Sequence, residues 1–259
     1  MKKETYNYIT MVERAMDIMQ LIFEKDAGMG VTEIAKRLEL PKATVYRILV
    51  TLMKGGYIIK EKDDERYNLG GVFIKYSERV KSDINVHSVA KPHMLLLSEK
   101  TGESVNLAVD YDEASLIIER VSGEKTSLMA KLLSDAPYNC SSSGKIFLSH
   151  KEMNYIENYF LSGKAKERTV KSITTWERFL NERALILKGG YAIDNEEYDY
   201  GLYCIGMPIY SCDNHLMAVM SLSGPKSRLN HKGMNQMIND LKLTVEQVQK
   251  EIIKLNLKA

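Results

Sequence analysis

The chain has 259 residues, 44% of them hydrophobic and 27% charged, with 36 Lys or Arg against 34 Asp or Glu and a formal net charge of +2. That length allows more than one domain, and the chain holds no low-complexity tract. The three cysteines, Cys140, Cys204 and Cys212, show no metal spacing, and no apolar run approaches membrane-spanning length.

An odd, sparse cysteine set fits a reducing compartment. The opening MKKETYNYITMVER lacks the apolar core of a signal peptide, so a cytoplasmic location is expected, with no membrane partner. Residues 1–81 hold 15 Lys or Arg against 12 Asp or Glu, so the mild basic bias sits in the N-terminal third. There is no internal repeat.

In chain order, Val12, Ala15, Met16, Met19, Leu21, Ile22 and Phe23 predict a helix that closes a small core. Residues 31–53, VTEIAKRLELPKATVYRILVTLM, predict two short helices separated by a break. In the first, Ile34, Ala35 and Leu38 form the apolar stripe, Thr32 and Glu33 suit the first turn, and Gly30 is an acceptable cap. Leu40-Pro41 ends it, because the residue before a proline is pushed out of the helical region. Pro41 then opens the second helix, where its missing N–H costs nothing. Val45, Ile48, Leu49 and Leu52 form the buried face of that helix. Lys42, Ala43, Thr44, Tyr46 and Arg47 are left outside, clustered toward its start. Helix-turn-helix proteins present such N-terminal residues of the second helix to base edges. Lys42 and Arg47 suit phosphate or guanine, while Ala43 and Thr44 suit a thymine methyl or a base edge. The plain alternative is a helical hairpin with a solvated basic face.

Gly55-Gly56 stops the second helix. Residues 57–60 and 66–69 predict two short strands joined by the charged turn 61–65, the order of a winged helix. Lys62 and Arg66 extend the expected DNA-binding set onto this wing. Val72, Phe73, Tyr76 and Val80 then predict a connecting helix, whose apolar stripe suits pairing with a second copy.

The remainder has a different texture. An amphipathic helix over 83–100 precedes strands at 103–110 and 114–121, with a third strand expected at 126–132. Helices follow near 144–150, 151–159 and 174–188, the last capped by Thr174 or Thr175 and ended by Gly189-Gly190. Strands are expected at 191–194, 202–210 and 216–223, with a hairpin turn at 211–215. The last helix carries Met234, Ile238, Leu241, Val245, Val248, Ile252 and Leu255, a continuous stripe expected to pack on the sheet, with packing against a second copy the alternative. The fold class is therefore α+β, an antiparallel sheet flanked by helices behind a winged helix-turn-helix. The expected domains are 1–69, a linker helix at 70–82, and 83–259.

The stretches VERAMDIMQLI, VTEIAKRLELPKATVYRILVTL, the wing's GYI, KPHMLLLSEKTGESVNLAV, SSSGKIFLS, EEYDYGLYCIGMPIY and AVMSLSGPKSRL occur in one order. On these motifs the chain resembles IclR-family transcriptional regulators over nearly its full length. The resemblance implies a winged helix that binds double-stranded operator DNA. It implies a C-terminal effector domain related to the GAF and PAS folds, and assembly as a homodimer or dimer of dimers. It also implies a pocket for a small effector, often a carboxylate, at Ser141, Ser142, Ser143, Gly144, Asp194, Cys204, Ser221 and Ser223.

The residues support that implication physically. Helix-start N–H groups beside serine hydroxyls hold a carboxylate well. Ser221 and Ser223 alternate on a strand and share a face, Cys204 sits within a strand, and Asp194 ends one. The plain alternatives are a helix cap for the serines, a turn cap for Asp194 and a small buried side chain for Cys204. Gly-Ala is common in the family where this chain has Ser142-Ser143. Two added hydroxyls narrow the cavity and favour a polar, hydroxylated or sugar-derived acid over an aromatic one. A cysteine-dependent enzyme built on Cys204, Asp194 and a histidine is the weaker alternative. His87, His93, His150, His215 and His231 lie in no catalytic motif, and no phosphate loop, metal or cofactor signature is present. A signalling sensor that acts through protein contacts is another. Family members both repress and activate.

Overall fold

Helical periodicity dominates the first third of the chain, the rest mixes helices with alternating strands, and the computed structural model separates along that line. It describes residues 9–60, 65–83, 85–123 and 135–258. The chain divides into two units, Met1–Asp83 and Ile84–Ala259.

The first unit runs α1 (Thr10–Phe23), β1 (Met29–Gly30), α2 (Val31–Arg37), α3 (Lys42–Lys54), β2 (Ile58–Lys60), β3 (Arg66–Leu69) and α4 (Val72–Asp83). The strands form one antiparallel sheet in the order β1-β3-β2. The core joins Ile18 and Ile22 of α1 to Ile34, Val45, Ile48, Leu49, Ile58 and Tyr67. The expected face of α1 is corrected here. Val12, Met16 and Phe23 are exposed, and Ile18, outside the expected set, is fully buried. The helix carries two apolar stripes, and periodicity does not say which of them faces the core. The break between α2 and α3 also differs in detail. α2 ends at Arg37 and Glu39 turns left-handed at φ 53°, so the chain leaves the helix before Pro41 acts on Leu40. Pro41 is the N-cap of α3, not its first helical residue. The two-residue strand β1, outside the expected elements, pairs Met29 with Tyr67 and ties the start of α2 to the wing. The charged turn with Lys62 lies outside the described residues, Glu65 apart.

The second unit contains α5 (Asn85–Thr101), β4 (Ser104–Tyr111), β5 (Ala114–Val121), β6 (Asp135–Pro137), α6 (Ser142–Ser149), α7 (Met153–Leu161), α8 (Trp176–Gly189), β7 (Ala192–Asn195), β8 (Leu202–Tyr210), β9 (Leu216–Pro225), α9 (Lys226–Lys232) and α10 (Met234–Lys254). One antiparallel sheet orders the strands β6-β5-β4-β9-β8-β7. Both faces are covered. Val105, Leu107, Ile205, Met207, Met220 and Leu222 pack against α5 and α10 on one side. Ala108, Ala192 and Val219 pack with α6, α7 and α8 on the other. Because strand side chains alternate, the neighbours of the first set, Asn106, Cys204, Ser221 and Ser223, fall on the second face.

The stripe of α10 is buried at Leu241, Val245, Val248 and Ile252 and packs on the sheet as expected, while Leu255 is exposed. The strand expected at 126–132 lies outside the described residues, and β6 and α9 are elements that the periodicity did not mark. α7 begins two residues later than expected. Thr175 caps α8 by accepting from the Arg178 N–H, and Gly190 closes it left-handed at φ 72°, the ending a Gly-Gly pair favours.

Candidate functional site

Two sites follow from these elements, one in each unit. On α3, Lys42, Ala43, Tyr46 and Arg47 are exposed and Thr44 is half-buried, while Val45, Ile48 and Leu49 face the core. The first turn of α3 carries no acidic residue, and its N-cap Pro41 makes no side-chain cap bond. The N–H groups of that turn, with Lys42 beside them, suit a phosphate. Arg66 on the wing donates to the Ala27 carbonyl at 3.3 Å, so its guanidinium is drawn toward the loop before β1.

The second unit holds a cavity between the start of α6 and the sheet. Its lining includes Ser141, Ser142, Ser143, Asp194, Cys204, Ser221 and Ser223 together with Asn106, Ile117, Ala136, Tyr198 and Leu202. Thus seven of the eight expected pocket residues meet at one place, though they come from four separate stretches of chain. The eighth, Gly144, packs behind them: a Cβ there would strike the Pro137 carbonyl and the Ser141 hydroxyl. The cavity volume is about 30 Å³, room for a water or two before any side chain turns aside.

The sheet register explains the convergence. Asp194 of β7 lies opposite Cys204 of β8, and Cys204 lies opposite Ser223 of β9. In the next row Gly206 faces Ser221, Ser221 faces Asn106 of β4, and Asn106 faces Arg120 of β5. Gly206 lets α6 approach: a Cβ there would lie 3.1–3.2 Å from Ser142 backbone and side-chain atoms.

The serines differ in what they have left to offer. Ser141 is committed as the N-cap of α6, accepting from the Gly144 N–H at 3.0 Å and donating to the Pro137 carbonyl at 2.7 Å. Ser143 accepts from the Ser115 hydroxyl at 2.7 Å. The N–H groups of Ser142 and Ser143 precede the first intrahelical bond, Lys145 N–H to Ser141 O, and are the helix-start donors nearest the cavity. Asp194 accepts from the N–H groups of Glu197 and Tyr198 at 2.8 and 3.2 Å, the turn-capping bonds of its plain alternative. Its side chain nevertheless also lines the cavity.

Charge is handled behind this wall. Lys145 is fully buried and pairs with Glu182 at 2.6 Å and Glu197 at 2.7 Å. Burial opposes its charge, but the two carboxylates hold its pKa above the usual lysine value. Burial also pushes up the Glu197 carboxyl, with Lys145 opposing. Among the described residues, Glu197 Oε2 is a buried oxygen without a hydrogen-bond partner. Burial raises the Asp194 carboxyl to about 7, the Glu197 charge adds to this, and the two N–H groups oppose it. The Cys204 thiol is pushed well above its usual value by burial and then by Asp194, and Cys140 rises to about 12 chiefly through burial. A nucleophilic cysteine needs the opposite shift, so neither thiol is prepared for attack at neutral pH.

Asn106, Tyr198, Lys145 and Glu197 were absent from the expected site. The usable signal for Asn106 was its place in ESVNLAVD, a polar residue inside a strand whose flanking Val105 and Leu107 are buried on the opposite face. Lys145 gave none, because a lysine in SSSGKIFLS reads as a solvated helix residue.

Comparison with known proteins bears on both units. Residues 11–61 match the model of the IclR helix-turn-helix domain. Residues 78–250 match that of the C-terminal domain of bacterial IclR transcriptional regulators. The DNA-binding transcriptional repressor YiaJ of Escherichia coli is 26% identical over 245 residues, covering 92% of this chain and 86% of its own. The crystal structure of the Thermotoga maritima IclR superposes with a TM-score of 0.76 at 26% identity, covering 95% of this chain and all of that one. An IclR homologue from Microbacterium hydrocarbonoxydans, complexed with 4-hydroxybenzoate, shares the fold with a TM-score of 0.80 at 20% identity, covering 93% and 98%. Among the described residues no helix is long and apolar enough to cross a membrane. With the helix-turn-helix and the effector-domain matches together spanning most of its length, the chain belongs to the IclR family of bacterial transcriptional regulators, with a DNA-binding N-terminal domain and an effector-binding C-terminal domain.

Proposed function

We propose that this regulator binds operator DNA through Lys42, Ala43, Thr44, Tyr46 and Arg47 of α3, with help from the wing, and responds to a small polar carboxylate held in the cavity at the start of α6. The observation that carries the effector reading is the convergence of Ser142, Asp194, Cys204, Ser221 and Ser223 on one buried cavity. Helix-start N–H groups, hydroxyls and an Asp that burial keeps partly protonated all offer hydrogen-bond donors to an acid. The hydroxyls of Ser142 and Ser143, which line and narrow the cavity, favour a small polar acid over an aromatic one such as the 4-hydroxybenzoate in the Microbacterium complex.

In this reading two copies bind two half-sites. Effector shifts the balance between two arrangements by its differential affinity for them. Exposed apolar residues on α1 and α4, among them Val12, Met16, Ile74 and Val80, support pairing of copies.

The test is binding of the purified protein to DNA from upstream of its own gene, with and without small aliphatic acids. Specific binding that is altered by an acid, and that is lost in the Lys42→Ala, Arg47→Ala double variant, is expected. Unaltered binding by that variant would remove the assigned DNA face. A response to aromatic acids alone would remove the assigned effector class.

A further inference from the structure

The sheet wall of the cavity has a direction built into its hydrogen bonds. Arg120 of β5 is half-buried and its Nε donates to Asn106 Oδ1 at 2.9 Å. A guanidinium has no acceptor atom, so the Asn106 atom it meets is the oxygen. The amide orientation, ordinarily open to a flip, is thereby set. The Asn106 Nδ2 group then faces β9, donating to Ser223 Oγ at 3.1 Å and, at the limit of a hydrogen bond, to Ser221 Oγ at 3.5 Å. Asn106, Ser221 and Ser223 are all buried and all line the cavity.

Both serines therefore receive a proton donor from the sheet side. A hydroxyl that accepts in this way has its own proton free to point elsewhere. For Ser221 and Ser223 that direction is the cavity, where Cys204 lies opposite Ser223 on the neighbouring strand and Asp194 opposite Cys204. The row crosses five strands, from Arg120 through Asn106 and the serines to Cys204 and Asp194, and its first two steps both donate toward the serines.

We propose that Arg120 is a positioning residue for effector specificity: by orienting Asn106 it turns the Ser221 and Ser223 hydroxyls into donors, so that the cavity selects a carboxylate over the matching neutral amide. This rests on the reading of the cavity as the effector site and adds the residue that sets its preference. A carboxylate accepts at both oxygens, whereas an amide presents an NH2 group to a wall that already donates. An unmatched donor facing a donor loses a bond without replacement. Hydrogen bonds to the charged acid are also the stronger ones.

The experiment is titration of the protein, followed by ligand-observed NMR, with two small probe pairs: acetate with acetamide, and lactate with lactamide. The wild type is expected to bind acid over amide by about tenfold or more. In Arg120→Met, which keeps the side-chain stem but removes charge and donors, acid binding falls and amide binding holds, so the ratio collapses toward unity. Arg120→Lys, which keeps the charge without the Nε–H geometry, is expected to lie between them. It decides the matter if the methionine variant does not fold.

A merely structural role predicts that acid and amide weaken by the same factor. That result, or an unchanged ratio in a folded variant, overturns the assignment of Arg120 while leaving the effector site standing. A wild type that binds amide as tightly as acid overturns it as well. A wild type that binds none of the four removes the small-carboxylate reading itself, and the role of Arg120 with it.

Discussion

At Asp194 a proton and the proposed effector meet on one wall. The carboxyl is almost wholly buried and faces Glu197, with Cys204 and Cys140 close by and the Lys145 charge opposing its rise. Its pKa rises from 3.8 to about 7, through burial first and the Glu197 charge second. The folded protein therefore holds a proton that the unfolded chain releases between those values. A raised folded pKa gives a contribution fully present below the unfolded value and lost as pH rises through the folded one. Stability of the C-terminal unit should fall as pH climbs from about 4 to above 7. Asp194→Asn, which keeps an oxygen for the Glu197 and Tyr198 N–H groups, should flatten that slope in urea titrations. Carboxylate affinity should follow the same direction, weakening as Asp194 ionises. A slope unchanged in the asparagine variant would place the titration on another group. Little of this was legible in the chain. Asp194 is recognisable as a strand-ending carboxylate, but its surroundings depend on Glu197 and Lys145, which come from different elements.

At the scale of elements, spacing carries some information and packing the rest. The α3 helix was legible because its buried Val45, Ile48 and Leu49 recur at helical spacing and leave the basic residues on the other side. The strands of the effector unit were legible from alternation, and alternation placed Ser221 and Ser223 on one face. What alternation does not provide is strand order. β4 lies between β5 and β9, and only that order brings Asn106 beside Ser221 and sets Arg120 behind it. The faces of α1 escaped for a related reason: two apolar stripes on one helix are equivalent until a partner chooses between them. Gly206 shows the same dependence. Within LYCIGMPIY it reads as a weak point in a strand, yet a Cβ there would lie only 3.1–3.2 Å from Ser142 of α6. A side chain at Gly206 must push α6 outward, since one of the atoms it meets is backbone. Gly206→Val should destabilise the C-terminal unit by about 1–3 kcal/mol, the usual cost of overpacking, and should weaken binding of any effector. Urea unfolding measures the first and titration the second. A fully stable variant with intact binding would show that α6 does not need this approach.

For the whole molecule, the surface left over after both cores are built becomes the question. Met11, Val12 and Met16 of α1 are 48%, 53% and 60% exposed, and with Met19, Ile48, Leu52 and Tyr57 they line a largely apolar groove of about 490 Å³ beside α3. An isolated exposed apolar side chain needs no explanation, but a contiguous set on one helix marks a contact surface. The same groove includes Arg47 and Thr51 of α3, so whatever covers it also fixes the helix that carries the proposed DNA face. In the proposed dimer a second copy of the chain meets that need, because reading two half-sites requires two such helices held at a set spacing. Met16→Glu places a charge in the middle of the groove without touching the buried Ile18 and Ile22. Sedimentation should then show a mass nearer that of one 29.5 kDa chain than of the wild-type assembly. Operator affinity should fall by about a hundredfold or more as the two half-site contacts uncouple. Binding of a small acid in the C-terminal unit should persist, since its cavity is built wholly from residues after Asp83. An unchanged mass would assign the groove to another partner, and an unchanged operator affinity would show that pairing through α1 is not what positions α3 on DNA.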